Sequence, residues 1–296
     1  MSEPCDSLVL PQEICDAIID RLQDDKRSLL RASLTCRSLY SRTRVHLFSR
    51  VILSTESSCI RLAKLIALSP RIALLFKSLQ IGAASHDPID YQPFAVIESL
   101  VNLKHLTLSG GDWSRMPDTV ISSLQSHSYR SLRVCQSFNF RAIGEICSLL
   151  QNSPELQWAS FWFKGNFTEE CHLDHSLHRI PAPVTLHIGE ADPTFPIETL
   201  LKLAASSRSC PFSFRNIRTL NIILSCRNAM LRQHLNHYLV LVGTSLNLLH
   251  VKHSVPGMFT NISKRVSSCP RHPQSPCTHL QRRLMSPTSR SFQSES

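Results

Sequence analysis

The feature that most constrains the fold of this chain is an apolar pattern in its first fifty residues. Apolar side chains recur at steps of three and four residues, as along one face of an amphipathic helix: Leu10, Ile14, Ile18, Ile19 and Leu22. Pro11 suits the first position of a helix, because that position needs no N–H donor. Glu13 lies in the first turn, where a carboxylate interacts favourably with the helix dipole. The pattern therefore predicts a helix that begins near Pro11 and ends before Asp24.

Two more short apolar patterns follow the first. One contains Leu29, Leu30 and Leu34. Asp25 precedes it and is a suitable capping residue for a helix. The next pattern, which comes before a strand-like segment at 51–53, consists of Leu39, Val45, Leu47 and Phe48. Three helices this short expose more apolar surface than so small a unit can bury by itself. We therefore expect the surplus to contact the rest of the chain or a partner.

Two stretches of this region are similar to the motifs of the F-box, the docking domain of cullin-type ubiquitin ligases. Residues 10–14, Leu-Pro-Gln-Glu-Ile, resemble the opening Leu-Pro-x-Glu-Ile of that family. Residues 30–39 resemble its second signature, which ends in Cys-basic-x-Trp. Cys36 and Arg37 match this ending, and Leu39 replaces a frequent Trp. The resemblance covers about 45 of the 296 residues.

The resemblance implies a three-helix F-box domain over residues 8–53 that binds a Skp-family adaptor and, through it, a cullin scaffold. In such a complex the rest of the chain holds a protein substrate close to the ubiquitin-charged enzyme, and the chain supplies no catalytic residue. The adaptor contacts that the resemblance implies are Leu10, Pro11, Ile14, Ile18, Leu22, Leu30, Leu34, Cys36 and Leu39. The alternative is an ordinary helical unit that packs on its own domain.

Residues 54–255 contain short strand patterns separated by helix patterns. The clearest strand pattern is Leu103-x-x-Leu106-x-Leu108, which resembles the strand of a leucine-rich repeat. Related patterns begin at Leu132, Leu156, Asn216 and Leu246. We expect an irregular, leucine-rich-repeat-like α/β region, and the alternative is an α/β domain of another kind.

The spacing of these strand patterns leaves a gap. Neighbouring patterns lie about 24 to 30 residues apart, but about 60 residues separate Trp158 from Leu220. Residues 142–150 and 197–205 have the spacing of helices. An aromatic cluster before the gap is either core or binding surface, and we expect it to be core, because large aromatic side chains are mostly buried: Trp158, Phe161, Trp162 and Phe163.

Cysteine usage indicates a reducing compartment. The chain has 11 cysteines, an odd number without regular spacing. We expect Cys15, Cys36 and Cys147, which lie within apolar patterns, to be small buried apolar groups. The N-terminus has no signal-peptide pattern, and no apolar stretch is long enough to span a membrane. We therefore expect the cytoplasm, the nucleus or both, and no membrane partner.

Half of the net charge of +10 lies at the C-terminal end of the chain. Between Lys264 and Ser296 six basic residues stand against one acidic residue, in a segment rich in Ser and Pro. We expect residues 256–296 to form a disordered basic tail, and residues 1–7 to be disordered too. The body shows no basic stripe interleaved with aromatic residues, so nucleic-acid binding is not expected.

The sequence contains neither a Gly-rich phosphate loop nor a Gly-x-Ser-x-Gly elbow. Two groups of residues have the identities of zinc ligands: Cys171, His172, His175 and His178, and Cys269, His272, Cys277 and His279. No Cys-x-x-Cys pair accompanies the first group, and the second lacks the spacing of common zinc sites. We expect no catalytic residue, no metal and no cofactor.

The predicted architecture is an α-helical F-box head, an irregular α/β leucine-rich-repeat-like domain and a disordered tail. The predicted function is that of the substrate-recognition subunit of a Skp–cullin–F-box ubiquitin ligase, a non-catalytic role with an unknown protein substrate. The alternative is a leucine-rich-repeat-like protein-interaction scaffold with no role in ubiquitination.

Overall fold

Three helices form the N-terminal part of the chain, and a parallel sheet with helices forms the part that follows. The computed structural model describes residues 10–82, 92–135, 138–163, 183–190, 216–225, 239, 245–255 and 258–265.

The three N-terminal helices, which we call the head, are α1 (Gln12–Arg21), α2 (Lys26–Thr35) and α3 (Arg37–Leu47). Helix α1 begins directly after Pro11, as the sequence predicts. The carboxylate of Asp25 caps α2 by accepting hydrogen bonds from two backbone N–H groups, at 3.0 and 3.2 Å. Only Cys36 separates α2 from α3, and its backbone is extended. The two helices therefore pack against each other as close neighbours.

Nine strands of the described chain form one sheet, and their order in the sheet is their order along the chain. They are β1 (Arg50–Leu53), β2 (Ser78–Ile81), β3 (His105–Leu108), β5 (Ser131–Val134), β7 (Trp158–Phe163), β8 (Thr185–Glu190), β9 (Thr219–Ser225), β10 (Leu248–Val255) and β11 (Met258–Arg265). The first eight pair in parallel, whereas β11 is antiparallel to β10. Two short strands pair with each other separately: β4 (Gly111–Asp112) and β6 (Phe138–Asn139).

Helices connect the strands and cover one face of the sheet. The elements between the strands are α4 (Glu56–Leu68), α5 (Asp118–Ser126), α6 (Ile143–Leu150) and 3-10 segments at Pro70–Leu75, Gln92–Ser99 and Trp113–Arg115. Apolar side chains of these helices and of the strands form one core cluster. Phe48, just after the head, joins this cluster and meets the ring of Phe76 edge-on at 6.2 Å. The head is thus attached to the sheet by apolar contact as well as by the chain.

Seven consecutive strands begin with the same burial pattern. An apolar residue is buried two positions before the strand, and others are buried at the second and fourth strand residues. In the unit of β3 these residues are Leu103, Leu106 and Leu108. The same three positions are buried in the units of β2, β5, β7, β8, β9 and β10. Successive strands from β1 to β10 begin 26 to 34 residues apart.

A repeated hydrogen-bond arrangement links these units where the strands begin. The carbonyl of Ser49 accepts the N–H groups of Lys77 and Ser78, at 2.8 and 2.9 Å. The same paired bond recurs at every step until the carbonyl of Arg218 accepts two N–H groups of the next unit. Because the register is identical at every step, corresponding residues form straight rows across the sheet, with about 4.8 Å between neighbouring strands.

The coarse architecture predicted from the sequence, an N-terminal helical region followed by a parallel α/β region, is confirmed. The five predicted strand segments are strands, and the predicted helix at 142–150 is α6. Among the parallel strands of the nine-stranded sheet, two were not predicted, β2 and β8. Strand β8 divides the 60-residue gap, and its unit supplies the missing repeat. The predicted helix at 197–205 lies outside the described residues.

Two predicted boundaries need correction. Strand β1, which was grouped with the head, pairs with β2 and is the edge strand of the sheet. Residues 258–265, which were predicted to be disordered, form β11 along β10. The free edge of β10 offers unpaired N–H and C=O groups, and this segment contains the strand-favouring residues Phe259, Thr260 and Ile262. Residues 1–7 and 266–296 lie outside the described part of the chain.

Candidate functional site

The head exposes apolar side chains that no other described part of the chain covers. Five of them, which we call the head surface, are exposed as follows: Leu34 86%, Leu10 54%, Leu30 54%, Ile14 49% and Ile18 47%. By contrast, Ile19 and Leu29 are completely buried inside the head. The surplus of apolar surface that the sequence predicts is therefore present, and within the described chain it has no cover.

The apolar stripe of α1 divides into a buried row and an exposed row. Cys15 and Ile19, four residues apart, face the inside of the head. Ile14 and Ile18 each precede one of these residues and are about half exposed. Neighbouring residues on a helix point about 100° apart. The stripe is thus wider than the head core that it helps to form.

Seven of the nine residues predicted to contact an adaptor are exposed: Leu10, Pro11, Ile14, Ile18, Leu30, Leu34 and Cys36. The other two, Leu22 and Leu39, are only partly exposed. Leu22 ends α1 as its C-cap, and Leu39 lies in the first turn of α3. These two residues therefore offer less surface to a partner than the other seven.

A charged group on α1 fixes its position relative to α3. The carboxylate of Asp20 accepts two hydrogen bonds from Arg42, both at 2.6 Å, and lies 2.7 Å from Nε2 of His46. At the other end of the helices, the side-chain amide of Gln12 donates to the carbonyl of Ser38 at 3.2 Å. Because both starts and both ends meet, α1 and α3 run parallel.

The environment of Asp20 favours its ionised form. The hydrogen bonds from Arg42 and then from His46 hold the pKa of this carboxyl well below its usual range. Asp20 is partly exposed, so water screens the attraction and the effect on stability is modest. Its contribution is to orient α1, and with α1 the exposed row of the head surface.

Cys36 differs from the prediction that it is a buried apolar group. Its thiol is exposed and lies 3.0 Å from Oγ of Ser38 at the start of α3. Hydrogen bonds from the Ser38 side chain and then from the Leu39 N–H hold the pKa of the thiol below its usual value. Cys15 and Cys147 are buried, as predicted. The tight corner between α2 and α3 is what turns Cys36 outward.

The face of the sheet that points away from the helices carries mainly polar side chains, and we call it the open face. Nδ1 of His105 lies 2.8 Å from the hydroxyl of Ser131 on the next strand. Further along the sheet, the amide of Asn221 lies 3.1 Å from Nε2 of His187. The ring of His187 also lies 5.4 Å from that of Trp158. Polar and aromatic groups therefore follow one another in rows across the open face.

A groove of about 870 Å³ lies at the margin of the open face where β2, β3, β5 and β7 begin. Its walls include Lys77, Lys104, His105, Arg130, Ser131 and Trp158. No basic stripe was predicted in the body of the chain, because these three cations come from three separate units. The signal was present in the sequence: each cation directly precedes a strand. Only the register of the sheet brings them together.

The aromatic cluster at 158–163 is divided between the two faces of the sheet. Phe161 is buried in the core, as predicted, but Trp158 and Trp162 are only partly buried and lie on the open face. The ring of Trp162 lies over Gly189, where a Cβ atom would come within 2.6 Å of it. Successive side chains of a strand point to opposite faces. The side chain of Phe163 lies outside the described part of the structure.

Among the described residues there is no group of three or more His, Cys, Asp or Glu arranged to hold a metal ion. Both groups of zinc-ligand types named from the sequence, at 171–178 and 269–279, lie outside that part of the chain. In the same described part, no helix is both long enough and apolar enough to cross a membrane.

No family model matches the chain, and no curated protein matches it significantly. The resemblance of residues 10–39 to the F-box motifs therefore rests on those residues themselves.

Proposed function

We propose that the chain is the substrate-recognition subunit of a Skp–cullin–F-box ubiquitin ligase. In this proposal the head surface binds a Skp-family adaptor, and the sheet that follows holds a protein substrate. The chain is then a non-catalytic subunit, which raises the local concentration of the substrate near the ubiquitin-charged enzyme.

The observation that carries the proposal is the exposure of the head surface. Ile14 and Ile18 form one exposed row on α1, and Leu30 and Leu34 form another on α2. Helices that bind in an apolar groove present anchors at this spacing. Ile14, Leu30 and Leu34 belong to the segments that resemble the two F-box signatures, and Ile18 lies one helical turn after the first. The resemblance and the exposure therefore support the same docking role.

The free energy available from docking is substantial. Complete burial of one Leu or Ile side chain contributes roughly 1.5–3 kcal/mol. Leu34, at 86% exposure, has nearly all of its surface left to bury, whereas Ile14 and Ile18 have about half. Leu34 is therefore expected to contribute the most of the five residues to adaptor affinity.

The repeated sheet supports the second half of the proposal. Its units resemble leucine-rich repeats in their buried Leu-x-x-Leu-x-Leu positions, in their spacing and in their parallel stacking. Stacked units of this kind present a continuous face of variable side chains. In this chain the open face is that surface, and its polar and aromatic rows are suited to contact with another protein.

The test is titration of the full chain with a purified Skp-family adaptor by calorimetry. Leu34→Glu is expected to weaken binding about tenfold or more, because each 1.4 kcal/mol changes affinity tenfold. Leu68→Glu is the matched control, since Leu68 is also 86% exposed near the end of a helix but lies on α4. It should leave affinity unchanged.

The proposal is contradicted if the unmodified chain does not bind the adaptor, and equally if both variants lose affinity to the same extent. The first result would leave the alternative, a protein-interaction scaffold with no part in ubiquitination. Thermal unfolding of each variant is measured alongside, because both substitutions are at exposed positions and should preserve the fold.

A further inference from the structure

Three cations form a row along the groove at the margin of the open face. Lys77, Lys104 and Arg130 each occupy the position directly before a strand, in the units of β2, β3 and β5. These strands are adjacent in the sheet and in one register. With about 4.8 Å between strands, the backbones of the three residues span only about 10 Å. Positive charge is therefore concentrated in this row, where these strands begin.

Among the described residues, the strand positions that face outward beside this row carry no acidic side chain. The outward positions of β1, β2, β3, β5 and β7 contain no Asp or Glu, and they add Arg50 and Arg133 to the positive charge. The described residues give Lys77 and Lys104 no ion pair. The nearest counter-charge is Glu155, whose carboxylate lies 3.7 Å from Arg130, and both side chains of this pair are more than half exposed.

The other groups in the groove fit an anionic partner too. His105 lies between the cations, and desolvation, followed by the charges of Arg130 and Lys77, holds its pKa below the usual value. His105 is therefore neutral near pH 7 and can donate or accept a hydrogen bond. The hydroxyl of Ser131 and the indole of Trp158 add a polar group and a flat aromatic surface.

We propose that this groove binds an acidic segment of a protein partner, with carboxylate or phosphate groups seated on Lys77, Lys104 and Arg130. The inference rests on the proposed function in one respect only, that the sheet holds a protein. It names the chemical class of segment that the sheet recognises. Arginine pairs with carboxylate or phosphate in two parallel hydrogen bonds, and lysine with either as a point charge.

The size of the row favours a protein segment over a nucleic acid. Proteins that bind DNA specifically commonly neutralise about six to ten phosphates and bury at least about 1,000 Å². Here three cations span about 10 Å, a length that three or four residues of an extended peptide match at about 3.3 Å per residue. Proteins that bind single-stranded nucleic acids stack successive bases on several aromatic side chains. The described lining of the groove offers a single partly exposed one, Trp158.

The experiment measures binding of a fluorescein-labelled peptide of eight glutamates to the full chain by anisotropy. The charge-reversal variant K77E/K104E/R130E is expected to bind at least tenfold more weakly. The control R61E/K64E/R71E changes the net charge by the same amount at exposed positions on α4 and in the 3-10 segment that follows it. It should retain the affinity of the unmodified chain. Because both variants keep the basic C-terminal segment, that segment cannot produce the difference.

A second peptide, with phosphoserines in place of four of the glutamates, distinguishes the two sources of negative charge. Tighter binding of this peptide identifies phosphorylated segments as the partner, and equal binding identifies carboxylates. In both cases the affinity should fall in the groove variant alone. If charge reversal prevents folding, K77Q/K104Q/R130Q tests the same row with a smaller perturbation, and its affinity should fall in the same direction.

Two results would overturn the inference. One is an equal loss of affinity in the groove variant and in the control, which would mean that only net charge matters. The other is the finding that a single-stranded nucleic acid of twelve nucleotides binds more tightly than both peptides and that its binding depends on the same three cations. Adaptor binding is independent of this test: the groove variant should bind the adaptor normally, and Leu34→Glu should bind the peptide normally.

Discussion

The head and the sheet contain similar apolar patterns, but they bury them to different extents. In the sheet, seven units bury apolar residues at the same three positions, and the neighbouring units and helices cover them. The head, only 38 residues long between Leu10 and Leu47, contains six of the twelve large apolar residues that are strongly exposed in the described chain. A stacked unit is covered by the next one, whereas the head has no following copy. Its apolar surplus is therefore available to a partner.

The largest expected effect is a direct test of this difference in burial. Leu106→Ala removes a completely buried side chain from β3 and should lower the free energy of unfolding by about 2–5 kcal/mol. Leu34→Ala makes the same chemical change at an exposed helix position and should alter it by no more than about 0.5 kcal/mol. Urea denaturation of both variants provides the measurement.

Similar losses of stability in the two variants would show that Leu34 is covered in solution, by a second copy or by another part of the chain. The assignment of the head surface as an uncovered docking site would then be wrong. Sedimentation of the unmodified chain at several concentrations separates these two kinds of cover.

A smaller effect concerns the pH dependence of the head. The pKa of Asp20 is lower in the folded state than the usual unfolded value of about 3.9. Its contribution to stability is therefore complete above that value, declines below about pH 4, and is lost as the pH falls through the depressed folded pKa. Asp20→Asn should lower the thermal midpoint at pH 7, and the difference from the unmodified chain should shrink at pH 2.5.

Asp24→Asn is the control for this prediction, because Asp24 is exposed and has no ion pair within the described residues. It should shift the midpoint little at both pH values. A deficit of Asp20→Asn that stays constant between pH 7 and pH 2.5 would mean that Asp20 acts through its shape or its hydrogen bonds rather than through its charge.

Some features of the head and of the sheet can be predicted from the sequence alone, because local signals determine them. The helices of the head follow from local signals: Pro11 at a helix start, Asp25 as a cap and apolar residues at helical spacing. The strand at His105–Leu108 follows from its alternating leucines. These features depend on residues close in the chain, so one sequence is sufficient to predict them.

Features that depend on register were harder to predict. Strand β8 was missed because its unit has Pro183 at the position of Leu103 in the clearest unit, so the Leu-x-x-Leu-x-Leu pattern is broken. The basic row was missed because Lys77, Lys104 and Arg130 are 26 or 27 residues apart and meet only through strand pairing. Trp158 was predicted to be core because it lies in a cluster of aromatic residues, although the side chains of that cluster point to both faces of the strand. The register of the sheet decides which of the two faces is buried.

The smallest expected effect on stability concerns Glu155 beside the groove, where one substitution should change peptide binding but not folding. Glu155 and Arg130 form an exposed ion pair at 3.7 Å. Exposed pairs of this kind contribute between zero and about 1 kcal/mol, so Glu155→Gln should leave the urea midpoint almost unchanged. The same substitution removes the negative charge nearest the groove and should strengthen binding of the glutamate peptide. Anisotropy at low and high salt measures this gain, which should diminish as salt screens the charges. Unchanged or weaker binding would mean that Arg130 does not contact the acidic segment, because its only described competitor for that contact would have been removed without effect.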